Sequence, residues 1–173
     1  MKTHQKNRER FVSKVFQDVF DKYDLMNDIM SLGIHRLWKR QFISWLNPQI
    51  NTKLLDVASG TGDIAKLYLD KLNNNGHVSC LDENQGMLNL SKKRFNTSLN
   101  IKWICCDAEK LPFKNNYFDY YTISFGIRNV NDMNISLKEA YRVLKPGGRF
   151  LCLEFSKIEN NILNKFYQNY SKA

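Results

Sequence analysis

The segment from Leu54 to Ala65 constrains the fold of this chain more than any other part of the sequence. An apolar run that favours strand leads into two glycines, Gly60 and Gly62, and then into residues that favour helix. A strand, a glycine turn and a helix in this order point backbone N–H groups into a crevice at the strand's carboxyl end, where nucleotide-like ligands bind. Glycine also permits dihedral angles and a close approach that a Cβ would block. An ordinary tight turn with no ligand remains the alternative.

Carboxylates around this turn indicate the kind of ligand. Asp82 closes the next apolar run, at the distance typical of an acidic residue that accepts hydrogen bonds from both ribose hydroxyls. A dinucleotide oxidoreductase and an enzyme that uses S-adenosylmethionine both fit this pattern. The helix N-terminus would have to meet a pyrophosphate dianion in a dinucleotide site, and Asp56 and Asp63 would lie close to that dianion. The sequence therefore favours a ligand with a cationic ammonium and sulfonium, which is S-adenosylmethionine.

Strands and helices alternate through the second and larger part of the chain. Apolar runs predict strands near residues 53–58, 77–82, 101–106, 118–125 and 149–155, and helical spacing predicts helices near 62–73, 85–95 and 133–144. Small Ala65 would let the first of these helices lie tightly against its strand. The segment Lys145 to Gly148 predicts a turn that ends the last helix and starts the fifth strand. This order predicts an α/β fold with a doubly wound parallel sheet.

Two amphipathic helices are predicted before the first strand. One runs from about Arg8 to Tyr23, and the other from about Ile34 to Leu46, ending before Pro48. In the second helix Trp38, Phe42 and Leu46 share one stripe, with Leu37 and Trp45 beside it. Because 173 residues is a one-domain size, we expect residues 1–50 to form a helical cap on a cofactor-binding domain of residues 51–173.

Charge, cysteines and histidines exclude several classes of function. The net charge of +9 would suit nucleic acid or an anionic membrane, but no nucleic-acid-binding motif is present, so no nucleic-acid partner is expected. The densest basic cluster, Arg36 with Lys39 and Arg40, is interpreted as a solvated helix face, with a lipid contact as the alternative. The histidines lack the spacing of metal ligands, so no metal site is expected. No apolar run approaches the roughly 20 residues needed to cross a bilayer, so we expect a cytoplasmic protein.

The cysteines are expected to be buried free thiols in a reducing compartment, because they lie in predicted strands without C-x-x-C spacing. They are Cys80, Cys105, Cys106 and Cys152.

Further candidate site residues follow the third and fourth predicted strands. Asp107, followed by Ala108, could reach the exocyclic amine of an adenine, or could form an Asx turn before Glu109. Ser124 and Arg128 would bring a hydroxyl and a guanidinium to the same crevice, although Arg128 could equally cap a surface helix. The sequence does not decide between the two roles of Asp107 or between the two roles of Arg128.

Four segments of the chain carry a resemblance to a known family. They are K-Y-D-L-M-N-D-I-M-S-L-G-I-H-R-L-W-K-R (22–40), D-V-A-S-G-T-G-D (56–63), I-S-F-G-I-R-N-V (123–130) and Y-R-V-L-K-P-G-G-R-F-L-C-L-E-F-S-K (141–157). The chain resembles the class I S-adenosylmethionine-dependent methyltransferases, and within them the ubiquinone/menaquinone biosynthesis C-methyltransferases. The resemblance implies their Rossmann-like fold and cofactor contacts at Thr61, Asp82, Asp107, Ala108 and Ser124.

The implied reaction transfers a methyl group to a ring carbon of a polyprenylated benzoquinol or demethylmenaquinol. Arg128 is expected to stabilise a developing phenolate, because a guanidinium stays protonated. Lesser candidates for orienting the substrate or accepting its proton are Asn129, Tyr23, Asp63 and His35. The expected partners are the prenylated quinol, a peripheral contact with the inner membrane, and a second copy or a quinone-biosynthesis complex.

The chain departs from the family pattern at its C-terminal end. Family members continue beyond the fifth strand with two more strands, so the strand near Phe150 to Phe155 is expected to be an edge with unpaired N–H and C=O groups. A truncated gene product, a partner that supplies the strands and self-association are three explanations. A catalytically inactive scaffold with the same fold is therefore the alternative function, and an RNA methyltransferase is a third, which the charge favours but the 123–130 segment does not.

Overall fold

A computed structural model describes residues 34–95 and 100–155, and helices alternate with strands through both ranges. The elements in chain order are α1 (His35–Leu46), β1 (Lys53–Val57), α2 (Asp63–Lys71), β2 (His77–Asp82), α3 (Gln85–Arg94), β3 (Ile101–Cys105), β4 (Phe118–Ser124), a 3₁₀ helix (Ile127–Asn129), α4 (Met133–Val143) and β5 (Leu144–Leu153). The predicted helix from Arg8 to Tyr23 lies outside the described residues.

The strands of the described residues form one parallel sheet in the order β3-β2-β1-β4-β5. Leu55 of β1 lies between Ser79 of β2 and Tyr121 of β4. The prediction of a doubly wound α/β fold is confirmed. Chain order reverses between β1 and β4, and ligands of such sheets bind in the crevice at the carboxyl ends of the strands at this point.

Alternating side chains of the strands build a core on each face of the sheet. Leu54 packs on one face with Phe42 of α1 and Tyr68 of α2. Leu55 packs on the other face with Val143 of α4. Both faces are covered, which explains why the central strands read as continuous apolar runs.

The fifth strand begins earlier than the sequence predicts. Leu144 pairs with Phe118 and Arg149 pairs with Tyr120, so residues 145–148 form a bulge opposite the single residue Asp119. The Asp119 carboxylate accepts hydrogen bonds from Lys145 Nζ at 2.6 Å and from the Lys53 N–H at 2.9 Å. The predicted turn is thus an irregularity inside β5, held in place by Asp119, and not a separate connection.

The buried stripe of α1 also differs from the prediction. The helix buries His35, Lys39, Phe42, Ile43 and Leu46. Leu37 and Trp45 are 60% and 65% exposed, and Trp38 is 39% exposed. Both stripes have helical spacing, and an ion pair between Lys39 and Asp63 at 2.9 Å favours the observed one. Among the described helices, none combines the length and apolar character required to cross a membrane.

The prediction of four buried cysteines is right only for Cys80 on the central strand β2. Cys105 on β3 and Cys152 on β5 are exposed, and Cys106, just after β3, is partly buried. β3 and β5 are the two edges of the described sheet, where alternate side chains are less fully covered than on a central strand. Phe150, at 38% exposure, also shows the expected open face of β5.

Candidate functional site

A cavity of about 240 Å³ lies at the carboxyl ends of β1, β2 and β4. The predicted site residues on its wall are Asp56, Gly60, Thr61, Asp82, Ala108, Ser124, Arg128 and Asn129. Gly62 and Asp107 are not on the wall, and Tyr23 lies outside the described residues. The topology therefore brings together candidates that are spread over more than 70 positions of the sequence.

Gly62 occupies a position where any side chain would be strained. Its φ of +79° is left-handed, and a Cβ added there would lie 2.9 Å from the Phe95 ring and 3.1 Å from Trp103. The glycine turn can therefore approach α3 and β3 closely before α2 begins. Gly60 has a φ of +49°, and a Cβ added there would make only an ordinary contact with Met87 Cε at 3.9 Å, so the backbone angle explains the glycine.

Side chains from α3 hold the peptide groups of this turn. Ser91 Oγ donates a hydrogen bond to the Gly60 carbonyl at 2.6 Å, and Arg94 Nη1 donates one to the Thr61 carbonyl at 3.0 Å. These bonds fix which way the neighbouring N–H groups face, so the turn is arranged before any ligand arrives.

The Asp82 carboxylate links the turn to the start of α3. Its two oxygens accept hydrogen bonds from the N–H groups of Gly60 and Asn84, each at 2.9 Å. A carboxylate has about four lone-pair sites, so Asp82 can accept further hydrogen bonds from the cavity side. This arrangement suits the predicted contact with ribose hydroxyls.

Asp56 is a buried carboxyl group with one unpaired oxygen. Thr122 Oγ1 donates to its Oδ1 at 2.8 Å, whereas Oδ2 is buried and has no hydrogen-bond partner. Burial raises the pKa of Asp56 to about 7, although the Thr122 hydrogen bond and the charge of Lys39 oppose the rise. A buried, unpaired oxygen on a cavity wall favours a ligand that brings a hydrogen-bond donor with positive charge.

Asp63 does not contribute the negative charge that the sequence suggests. Its carboxylate pairs with Lys39 Nζ at 2.9 Å and with Arg94 Nη2 at 3.3 Å. Burial would raise the pKa of Asp63, but these two cations outweigh it and hold the pKa below its usual value. Because its charge is compensated, Asp63 is a weak argument against a diphosphate. The acidic side chains on the cavity wall are Asp56, Asp82 and Glu83.

The Asp107 carboxylate forms the Asx turn that the sequence left open. Its Oδ1 accepts a hydrogen bond from the Glu109 N–H at 2.8 Å. Ala108, the next residue, lies on the cavity wall. A direct contact between Asp107 and an adenine amine stays a prediction.

Arg128 projects from the 3₁₀ helix at the cavity wall and forms an ion pair. Its Nη1 donates to Glu154 Oε1, and its guanidinium lies 5.9 Å above the Phe155 ring. The side chain is 40% exposed. Arg128 is therefore part of a cluster at the end of β5 and does not cap a surface helix.

Sequence reasoning missed several residues of the site. They include Lys39, Met87, Phe125 and Gly126 on the wall, and Glu154 beside Arg128. Lys39 could have been found from its helical spacing to His35 and Phe42, which places it on the same face of α1. Only the tertiary pairing of Arg128 identifies Glu154.

Gly126 packs against Ala58 so closely that replacement by alanine should destabilise the fold. The added Cβ would lie 2.4 Å from the Ala58 Cβ, and overpacking of this kind costs roughly 1–3 kcal/mol. Ala58 has a φ of +51°, which glycine adopts readily, so Ala58→Gly should be tolerated and should recover much of the loss in the double variant. Urea unfolding of all four proteins measures this coupling. A double variant as unstable as Gly126→Ala alone would contradict the clash.

Known proteins share both the sequence and this architecture. The model of the ubiE/COQ5 methyltransferase family matches residues 2–173. The ubiquinone/menaquinone biosynthesis C-methyltransferase UbiE of Rickettsia prowazekii is 54% identical over 170 residues, which cover 95% of this chain and 68% of that protein. The protein of the same name from Rickettsia bellii is 52% identical with the same coverage.

Solved structures agree on the fold. The structure of an S-adenosylmethionine-dependent methyltransferase from Aquifex aeolicus aligns with a TM-score of 0.64 and 21% identity. The alignment covers 71% of this chain and 66% of the Aquifex chain. The present chain spans about two thirds of the length of the Rickettsia relatives. Because the family model matches nearly the whole chain, the chain belongs to the ubiE/COQ5 methyltransferase family.

Proposed function

We propose that this chain uses S-adenosylmethionine to methylate a ring carbon of a polyprenylated benzoquinol or demethylmenaquinol. The observation that carries the proposal is the cavity at the glycine turn, with Asp56 and Asp82 on its wall, in a chain that is 54% identical to a ubiquinone/menaquinone biosynthesis C-methyltransferase. In this proposal residues 1–50 form the cap and residues 51–173 the cofactor domain.

The residues of the cavity fit S-adenosylmethionine, the cofactor that family membership implies. The unpaired Oδ2 of Asp56 suits a cationic ammonium donor, and Asp82 retains acceptor capacity for ribose hydroxyls. Leu81, Met87 and Ala108 give an apolar wall for an adenine. When bound, the cofactor supplies an electrophilic methyl group on a sulfonium.

Arg128 has the chemistry to assist the quinol substrate. A quinol carbon becomes nucleophilic when a ring hydroxyl ionises, and a fixed cation near that oxygen favours ionisation. The guanidinium cannot act as the base, because it stays protonated. Asn129, on the same wall, is a candidate to orient the hydroxyl. Tyr23 remains a candidate from the sequence alone. His35 is buried and is not on the wall, which weakens its candidacy.

Two binding experiments and one activity assay test this proposal. Titration calorimetry should give binding of S-adenosylmethionine and none of NADH, since a dinucleotide would place its diphosphate beside the acidic residues. Incubation with methyl-labelled S-adenosylmethionine and a demethylated prenyl quinol should then give a labelled quinol. Binding without transfer would favour the inactive scaffold, and salt-sensitive RNA binding with RNA labelling would favour the RNA methyltransferase.

Arg128→Ala should lower kcat for quinol methylation by about 100- to 1,000-fold, because one charge-assisted contact to the transition state is lost. The affinity for S-adenosylmethionine should change little. Arg128→Lys should keep part of the activity, since a point charge remains but the planar donor fork does not. Arg40→Ala, an exposed arginine of α1 away from the cavity, is the matched control. Turnover by Arg128→Ala equal to that of the control would remove Arg128 from the mechanism.

A peripheral membrane contact and an association with a second copy or a quinone-biosynthesis complex complete the proposal. The exposed Leu37, Trp38 and Trp45 of α1 support the membrane contact, because aromatic and apolar side chains favour the interface of a bilayer. The prenyl tail of the proposed substrate would also require an apolar path. Co-sedimentation with vesicles and sedimentation velocity test the two associations separately.

A further inference from the structure

The carboxylate of Glu154 organises the end of β5 beside the cavity. Its Oε1 accepts two hydrogen bonds, one from Arg128 Nη1 and one from its neighbour's backbone, the Phe155 N–H, at 3.0 Å. Both donors bind the same oxygen. The carboxylate therefore ties the Arg128 side chain to the main chain that follows β5.

The other oxygen of Glu154 is buried and has no hydrogen-bond partner among the described residues. The side chain as a whole is 19% exposed. A largely buried carboxylate with one unpaired oxygen is costly by itself, and an adjacent cation is the usual compensation. Arg128 provides that cation, so each member of the pair restrains the other.

Aromatic rings hold the guanidinium from a second side. The Arg128 guanidinium lies 5.9 Å from the centre of the Phe155 ring, within cation–π range. Phe155 stacks on Phe125 at 4.7 Å and meets the edge of Trp38 at 6.1 Å. The ring below Arg128 is thus braced by residues from the β4 end and from α1, which limits the positions that the guanidinium can take.

We infer that Glu154 is a positioning residue that aims Arg128 at the substrate. A guanidinium has five N–H donors, and the described contacts of Arg128 use one of them. Because the Glu154 carboxylate accepts only one of these N–H groups, it can fix the orientation of the guanidinium and leave the other N–H groups available to the substrate. This inference rests on the proposed function, because it assumes that Arg128 contacts the reacting quinol.

Glu154→Ala should lower kcat by about 10- to 100-fold, since a small displacement of an aligned group costs rates of this size. The Kd for S-adenosylmethionine should stay within about 2-fold. Glu154→Gln keeps an oxygen that can accept both hydrogen bonds, so it should recover most of the lost rate. Thermal melts of each variant show whether it is folded before its rate is used.

The Arg128→Ala background separates positioning from a merely structural role. If Glu154 acts through Arg128, then Glu154→Ala should cause no further loss of kcat once Arg128 is alanine. Losses that multiply in the double variant, or an unchanged kcat in Glu154→Ala, would overturn the inference.

Nitrogen-15 NMR of the arginine side chains gives a readout that needs no turnover. The Arg128 guanidinium should show restricted rotation in the native chain and averaged signals in Glu154→Ala. Averaged Arg128 signals in the native chain would also overturn the inference. Restricted rotation in a chain that does not methylate the quinol would instead mean that Glu154 does hold Arg128 but the proposed function is wrong.

Discussion

Replacing Asp82 with alanine is expected to weaken the binding of S-adenosylmethionine by roughly 100-fold or more. Hydrogen bonds to a charged group contribute about 1.5–3 kcal/mol each, and two bonds to ribose hydroxyls would be lost together. The same change frees the N–H groups of Gly60 and Asn84, which the carboxylate now holds. Titration calorimetry measures the loss directly.

The control for Asp82 is an aspartate whose role is confined to the surface. Asp70 forms an exposed i,i+4 ion pair with Lys66 on α2, so Asp70→Ala should leave the Kd unchanged. The Kd of Asp82→Asn should lie between those of Asp82→Ala and Asp70→Ala, because an amide keeps one acceptor oxygen and replaces the other with a donor. An Asp82→Ala variant that is folded and binds S-adenosylmethionine as tightly as Asp70→Ala would exclude Asp82 from the ribose contact.

Replacing Asp56 with asparagine is expected to stabilise the ligand-free protein increasingly as the pH rises from 5 to 8. The folded pKa of Asp56, about 7, lies above the usual aspartate value of 3.8 because the carboxyl group is buried. The protonated carboxyl therefore favours the folded state, and this stability is lost as pH rises from the lower value through the higher one. Asparagine does not titrate, so the variant should gain about 3 kcal/mol on the native chain over this pH interval.

Urea unfolding of the native chain, Asp56→Asn and Asp70→Asn at several pH values tests this expectation. The exposed Asp70 should show no comparable pH-dependent difference from the native chain. A constant difference between Asp56→Asn and the native chain from pH 5 to pH 8 would contradict the raised pKa of Asp56.

The same titration should appear in cofactor binding. If the ionised Asp56 pairs with the ammonium of S-adenosylmethionine, affinity should rise roughly 20-fold between pH 5.5 and pH 7.5 as the carboxyl loses its proton. Higher pH is unsuitable, because an α-amino group itself titrates near about 7.7–8.0. Asp56→Asn should bind weakly and with little pH dependence across the interval.

Local sequence determined the elements around the glycine turn. The apolar run of β1, the left-handed Gly60 and Gly62, and the small buried Ala65 are consequences of residue type, and each was predictable. Five parallel strands followed from the alternation of apolar runs and helical patterns. Asp82 was found because its distance from the turn follows from the length of one βαβ unit.

Side-chain pairing across the chain was not predictable in the same way. Lys39 and Asp63 are 24 positions apart, and their ion pair joins the buried face of α1 to the start of α2 and compensates the charge of Asp63. Leu37 and Trp45 consequently face outward. Helical spacing alone fits both orientations, so the pattern could not decide between them.

By itself the sequence determined the family, the order of strands and helices and the turn that shapes the cavity, because these depend on neighbours along the chain. The tertiary structure alone decided which charges remain available. It paired the charged Asp63 with two cations, left one oxygen of Asp56 unpaired and placed Glu154 beside Arg128. The physical reason is that ionisation and hydrogen bonding depend on distance and burial in space, which separation along the sequence does not specify.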